Sequence, residues 1–326
     1  LDLPQKLERL RDFGFSQQEC EKIQTSLRKL TNRIVHHKNG LWRTDEKKLD
    51  VLNSRRKQLK RSSLDQFDSL YWLIEDAKRY GTLPFAGLAR AGFIAVQMLK
   101  SLVAIDVLSV ADEEAFLADV YTVGSQMAYD RSIMDKKDFL STYGHLRPGT
   151  YDILSPRYDA NPEYYFNWSE SSDNFISQKK MVFSLTKSQR KLINAMLLSN
   201  GLHTDADNLL DFIRSTIELR EKAKFEFTRN LSEALYLIET VGAQSNFAVD
   251  DLSYCNYSAF RELYLSTTKI EDVLSKSITN GKAQYKKTLG LSLPPLITKP
   301  EDVISFVWPQ SDPNYVTQQK VIASVT

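Results

Sequence analysis

The sequence predicts a mainly α-helical protein: a multi-helix domain of long antiparallel helices, with one irregular mid-chain insertion and a proline-rich tail. Three observations carry this expectation. Apolar residues recur at spacings of three and four through most of the chain, which gives each helix one stripe to bury. The longest such run follows Asp205, where Leu209, Leu210, Ile213, Ile217, Leu219, Phe225, Phe227, Leu231, Leu235, Ile238 and Val241 keep a helical period without a proline among them. No internal repeat is evident, which sets the helical solenoids aside in favour of a packed body.

Taken in order, residues 1–36 read as helical. Leu7, Leu10 and Phe13 mark a short amphipathic set, and Ser16 caps a run carrying Cys20, Ile23, Leu27, Leu30 and Ile34. Residues 45–61 form a charge-rich helix ending in Arg55-Arg56-Lys57-Gln58-Leu59-Lys60-Arg61. Such a run is a solvated helix face or a nucleic-acid contact, and the lack of interleaved aromatics argues against nucleic acid as a partner. Two helices are predicted from Ser63 to about Leu108, broken at Gly81 and Pro84. In the second of them Gly87, Ala91 and Ala95 lay a smooth strip that lets another helix approach. Arg90 sits in this small, apolar stretch and needs a partner, either a carboxylate such as Asp106 or Asp119 or a ligand.

Residues 109–134 continue helical, with Glu113 and Glu114 in the first turn where negative charge suits the helix dipole. Residues 155–186 are the irregular insertion, with Asn161-Pro162, Trp168, a serine-rich stretch and a short strand expected over Met181–Leu185. Thr186 or Ser188 then caps a helix that stops at Asn200-Gly201. Residues 249–290 add two or three helices ending at Gly290, and Pro294-Pro295, Pro300, Pro309 and Pro313 break up the tail. The expected organisation is an N-terminal helical half, 1–154, an irregular connection, 155–186, a C-terminal helical half, 187–290, and a proline-rich linker, 291–326.

Composition excludes several classes. A chain of 326 residues, 42% of them hydrophobic, can fill a sizeable core. Lys+Arg 43 against Asp+Glu 41 leaves a net charge of +2, so charge-driven recognition of a partner must be local. Cys20 and Cys255 show no disulfide or metal-ligand spacing, and reduced thiols in a cytoplasmic setting are the expectation. No apolar run reaches the roughly 18 to 20 residues of a membrane span, and no basic-then-apolar leader opens the chain, so no membrane is expected. The start at Leu1 suggests a piece of a longer polypeptide. There is no Walker phosphate loop, dinucleotide fingerprint, zinc-protease helix or nucleophile elbow. Four histidines, His36, His37, His145 and His203, make a multi-histidine metal site improbable, so no metal or cofactor is expected in this chain. His36 and His37 read as compensation for a helix C-terminus.

Chemistry concentrates between Phe139 and Tyr158. Gly144 and Gly149 are expected to supply backbone angles closed to other residues, and Pro148 and Pro156 fix theirs. The candidates this loop positions are His145, a possible proton acceptor, with Arg147 and Arg157 to hold phosphate or carboxylate oxygens. The alternative is a tight connection whose histidine and arginines satisfy local carbonyls. Elsewhere, Arg220 and Lys224 stack at i, i+4 on the longest helix, either as a phosphate clamp or as a solvated face.

The loop also carries a resemblance. Tyr143-Gly144-His145-Leu146-Arg147-Pro148-Gly149-Thr150-Tyr151-Asp152 resembles the Tyr-Gly-His-Arg-(Gly/Pro)-Pro-Gly signature of the central, acceptor-binding domain of the phosphoenolpyruvate-synthase-like phosphotransferases, which include rifampicin phosphotransferase. Leu88–Ala95 is similar to that family's Ala-Arg-x-Ala-Phe helix, Leu219–Phe225 to its Arg-Glu-x-x-(Lys/Arg)-Phe helix, and Pro313–Thr317 to the segment leading into its phosphohistidine domain. Leu146 departs from the pattern by separating His145 from Arg147.

The resemblance implies a domain that binds a small-molecule acceptor through its hydroxyl. An ATP-grasp domain using ATP and magnesium, and a swivelling phosphohistidine domain, would lie elsewhere in the parent. His145 and Arg147 would then be catalytic, and Arg220, Lys224 and Arg90 would bind substrate or phosphate. The pyruvate-binding barrel is not in this chain, so pyruvate is not implied as the acceptor. A catalytically silent docking domain on the same fold is the alternative.

Overall fold

Every regular element among the residues that the computed structural model describes, 3–168, 183–265 and 267–307, is a helix. In chain order they are α1 (Leu3–Asp12), α2 (Gln17–Val35), α3 (Leu41–Arg61), α4 (Gln66–Asp76), a π-helical turn (Ala77–Thr82), α5 (Leu83–Ala104) and α6 (Val110–Ala118). There follow α7 (Val123–Ile133), α8 (Lys136–Tyr143), α9 (Pro162–Tyr165), α10 (Lys187–Ser199) and α11 (Ala206–Gln244). The last are α12 (Val249–Leu252), α13 (Tyr257–Leu265), α14 (Ile270–Leu289) and a 3-10 turn (Pro300–Val303).

The sequence starts these helices with its own side chains. Ser16 and Glu19 form a reciprocal capping box on α2, Thr186 and Gln189 do the same on α10, and Asp205 accepts from the Asn208 N–H at the start of α11. Helix α10 stops at Asn200, followed by Gly201 at φ +66°, a left-handed turn that suits glycine.

Helix α11, 39 residues and so about 58 Å long at its usual rise, is the axis of the fold. Its first half packs Leu209, Phe212 and Ile213 into a core with Trp42 and Leu49 of α3, Leu88 and Leu99 of α5, Phe116 of α6 and Ile193 of α10. Its second half contributes Ala234 to another core, with Leu70 and Leu73 of α4, Leu252 of α12, Phe260 of α13 and Leu274 of α14. At the junction Phe227 is 1% exposed and stands edge-on to Phe85 at 5.5 Å between ring centroids. Gly81 backs onto it so closely that a Cβ would fall 2.5 Å from that of Phe227.

The expected break at Gly81 and Pro84 does not occur. The chain passes from α4 through the π turn into α5, and the Leu83 N–H reaches back to the Lys78 carbonyl. This wider register absorbs Pro84, which has no N–H to give and lies in the first turn of α5. The resulting helix, Gln66–Ala104, is by length and composition apolar enough to cross a membrane, although no single segment of it read that way. Here Leu70, Leu73, Leu88, Ala91, Ala95, Leu99 and Leu102 from it are buried in the two cores.

The small-residue strip acts as expected: Ala91 and Ala95 are buried, and α3 lies so near that a Cβ on Gly87 would meet the Asp45 carboxylate at 1.9 Å. The basic run of α3 is only partly solvated, because Arg55 pairs with buried Asp76 at 2.6 Å and Arg56 with Glu226 at 2.8 Å. Of the strand expected over Met181–Leu185, residues 181–182 lie outside the described residues and 183–185 are irregular. Phe183 there meets Phe116 edge-on and Leu185 is buried, so this apolar stretch plugs the first core without pairing to a sheet. The similarity at Pro313–Thr317 also lies outside the described residues.

Candidate functional site

The loop after α8 closes on itself. The Asp159 N–H donates to the Gly144 carbonyl at 3.1 Å and the Tyr158 N–H to that of Leu146 at 2.9 Å, so its two arms are tied at the base. Gly144 has φ −57°, an angle open to any residue. Glycine is required there by space, since a Cβ would lie 2.3 Å from the Leu140 carbonyl oxygen and 2.8 Å from Asp159 Cβ. Gly149 likewise has no left-handed angle, and a Cβ on it would lie 2.8 Å from Asp152 Cβ. The glycines therefore permit close approach and supply no unusual dihedral. Tyr143 anchors the loop's entry by donating its hydroxyl to Asp130 at 2.6 Å, and burial together with that carboxylate raises the phenol pKa.

Arg147 braces the loop from inside. It is 8% exposed and donates to the carbonyls of Asp152 (3.3 Å) and Ser155 (3.1 Å) and to Ser232 Oγ of α11 (3.4 Å). Arg147 thus satisfies carbonyls within the loop, whereas His145 meets a carbonyl of α11.

His145, also 8% exposed, packs edge-on against Phe225 of α11 with ring centroids 4.9 Å apart. Its Nε2 lies 3.3 Å from the Phe225 carbonyl oxygen. A carbonyl only accepts, so Nε2 carries the hydrogen and Nδ1 carries the lone pair. That Nδ1 is buried with no hydrogen-bond partner among the described residues. Burial, then the positive charge of Arg229, and more weakly that of Arg157 and Arg56, lowers the imidazole pKa from 6.5 to about 3. The ring is neutral at physiological pH.

His145 borders a pocket of about 480 Å³ between α3, α4, α8, α11 and the loop, with Leu59, Leu73, Leu140 and Leu237 as its apolar lining. Four cations also line it: Arg56, Lys60, Arg157 and Arg229. Arg157 is held by Asp159 through a two-pronged bond (2.8 and 2.6 Å) and lies 3.5 Å from Glu233. Arg56 is held by Glu226 and by buried Asn230.

Arg229 donates to the Thr142 carbonyl at 2.8 Å and lies over the Phe225 ring at 4.6 Å. Its nearest carboxylate, Glu226, is 3.9 Å away and already bonded to Arg56. Lys60 is exposed and forms no ion pair among the described residues. Lys60 thus has no carboxylate among the described residues and Arg229 only one that it shares with Arg56, so the four cations of the lining outnumber its carboxylates, Asp159 and Glu233.

The other sequence-predicted residues lie elsewhere. Arg220 and Lys224 are exposed, and the Arg220 guanidinium lies 5.6 Å above the Phe93 ring of α5. The residues of α11 that face the pocket, Arg229, Glu233 and Leu237, continue the stripe of Phe225 at steps of four. The stripe of Arg220 and Lys224 is one position earlier, about 100° round the helix. Arg90 is exposed as well; Asp119 pairs with Arg214 at 2.8 Å instead, and Arg90 forms no ion pair among the described residues. Sequence reasoning missed Arg56, Lys60 and Arg229. The signal was present in Arg56 and Lys60, a like-charge pair at i, i+4 of the kind noticed at Arg220 and Lys224.

No group of histidine, cysteine, aspartate and glutamate among the described residues is arranged to hold a metal. Comparison with protein-family models, with curated proteins and with solved structures finds no match. The family resemblance therefore rests on the residues quoted for it.

The neutral histidine has a consequence for stability. Between pH 6.5 and about 3 the unfolded chain binds a proton at His145 that the folded chain refuses, so stability falls as pH drops through that window. From about pH 7.5 to pH 5, above most carboxylate titration, urea denaturation should show a loss of about 2 kcal/mol from this group. The same fall in His145→Gln would show that the group is not responsible.

Proposed function

We propose that this chain is the acceptor-binding domain of a multidomain, ATP-dependent phosphotransferase, in which a phosphoryl group passes from a phosphohistidine to an acceptor hydroxyl. The observation that supports the reading is neutral His145, its Nδ1 without a partner, on the wall of a pocket whose cations outnumber its carboxylates. Nδ1 is closed to solvent as the chain stands, so the acceptor enters by displacing a side chain of the pocket wall, and its hydroxyl then donates to Nδ1. As its oxygen bonds to phosphorus, the phosphorus–nitrogen bond of the donor breaks and the hydroxyl proton passes to Nδ1. Lys60, the exposed cation of the lining, neutralises the oxygens of the transferring group.

A base this weak suits the sequence of events. The arriving phosphoryl anion offsets the field of Arg229, Arg157 and Arg56, and so strengthens His145 as a base only when the donor is in place. ATP and magnesium would act in the donor domain, and the chain alone would not turn over. Arg147 serves the reaction by holding the loop that presents His145.

The test is ATP-dependent phosphorylation of an acceptor by a polypeptide that joins this chain to ATP-grasp and phosphohistidine domains. His145→Asn should reduce turnover by about 10²–10⁴-fold, whereas Arg220→Gln and Lys224→Gln should leave it near wild type. Unchanged turnover in His145→Asn removes His145 from the chemistry.

One observation favours a second reading, a docking domain. Arg220, Lys224, Arg90 and Phe93, which is 65% exposed, present cations and an aromatic ring to solvent away from the pocket. If that reading holds, Arg220→Gln weakens capture of a protein partner and His145→Asn does not.

A further inference from the structure

Two groups that line the pocket are of opposite chemistry, and both lie against Phe225 of α11. His145 Nδ1 can only accept, and it is buried. Arg229 can only donate, and its one carboxylate, Glu226 at 3.9 Å, is held more closely by Arg56 at 2.8 Å. Both touch one ring: His145 meets Phe225 edge-on with centroids 4.9 Å apart, and the Arg229 guanidinium carbon is 4.6 Å from its centre.

Depth divides the cations further. Arg229 has a side chain 25% exposed, whereas Lys60 is an exposed residue of the lining. A phosphoryl group arriving from another domain meets the rim first. The cation at depth faces whatever is already bound.

We propose that the acceptor is itself an anion, a small hydroxyl compound bearing a carboxylate or phosphate, with its hydroxyl on His145 Nδ1 and its anionic group on Arg229. This rests on the reading of the pocket as an acceptor site and narrows it to a substrate class. A neutral alcohol leaves Arg229 with only the Glu226 it shares with Arg56, and an anion without a hydroxyl leaves the Nδ1 lone pair buried and unpaired. Each mismatch costs binding. The apolar lining of Leu59, Leu73, Leu140 and Leu237 then accommodates the carbon skeleton.

The experiment is calorimetric titration of this chain, without any phosphoryl donor, using matched sets. One set is glycerol 3-phosphate, propyl phosphate and glycerol; the other is glycerate, propionate and glycerol. In at least one set the hydroxyl-bearing anion should bind about tenfold or more tightly than both of its counterparts. Arg229→Gln should abolish the preference over glycerol, with Arg229→Lys retaining part of it as a control for folding. His145→Phe should abolish the preference over the hydroxyl-free anion.

Equal binding within both sets overturns the proposal, as does a preference that survives in both variants, since binding would then lie elsewhere. Transfer to a neutral alcohol in the joined polypeptide also overturns it while leaving the phosphotransferase reading intact. A selective panel without transfer does the reverse.

Discussion

Replacing Phe227 with alanine should lower the unfolding free energy by about 3–5 kcal/mol, read by urea denaturation. Phe227 is 1% exposed at the point where the two cores meet along α11, edge-on to Phe85 and in contact with the π turn at Gly81. The backbone of that turn is part of a register that cannot shift alone, because Pro84 follows and α4 and α5 are each fixed in a different core. Little collapse into the space left by the ring is therefore expected, and incomplete collapse is what makes a cavity costly. The two halves should also lose their common transition, the second core melting first in a biphasic curve. A loss below about 1 kcal/mol would mean that the π turn repacks freely and that Phe227 is not the coupling.

Arg147→Met should cost about 2–4 kcal/mol and loosen one segment selectively. Methionine fills much of the same space but leaves the carbonyls of Asp152 and Ser155 without their donor and frees the loop from Ser232. Amide hydrogen exchange should rise over residues 144–159 while α11 stays protected. Arg147→Lys should recover little, because one ammonium cannot reproduce a fork shared among three acceptors. Unchanged protection of the loop in Arg147→Met would show that its arms are held by their own backbone bonds and that Arg147 is dispensable.

How far the sequence reveals this protein depends on the range of the interaction involved. Capping is decided within four residues, so Ser16, Thr186 and Asp205 start their helices where the chemistry of their side chains says they should. The π turn was not legible, because glycine and proline at 81 and 84 read locally as a break. What joins α4 to α5 is a contact with Phe227, far along the chain. The apolar residues before Leu185 read as a strand for the same reason: periodicity registers burial but not the Phe116 ring that causes it.

The site divides in the same way. His145 was legible from the loop's composition. Its cationic neighbours were not, because they depend on which stripe of α11 faces the loop, and Arg229 and Arg220 differ in that phase alone. Arg56 and Lys60 looked like part of a solvated run until α11 supplied Glu226 to one of them and the pocket took the other.

The most direct measurement is side-chain nitrogen NMR of the histidine-labelled chain. His145 is predicted to hold its hydrogen on Nε2, with Nδ1 bare, and to keep that form on acidification through pH 5. Addition of glycerol 3-phosphate or glycerate should move the Nδ1 resonance as the ligand hydroxyl bonds to it, leaving His36, His37 and His203 unmoved. A His145 that titrates near the ordinary value of 6.5, or an Nδ1 resonance unaffected by a compound that binds the chain, would contradict the assignment of this pocket as the acceptor site.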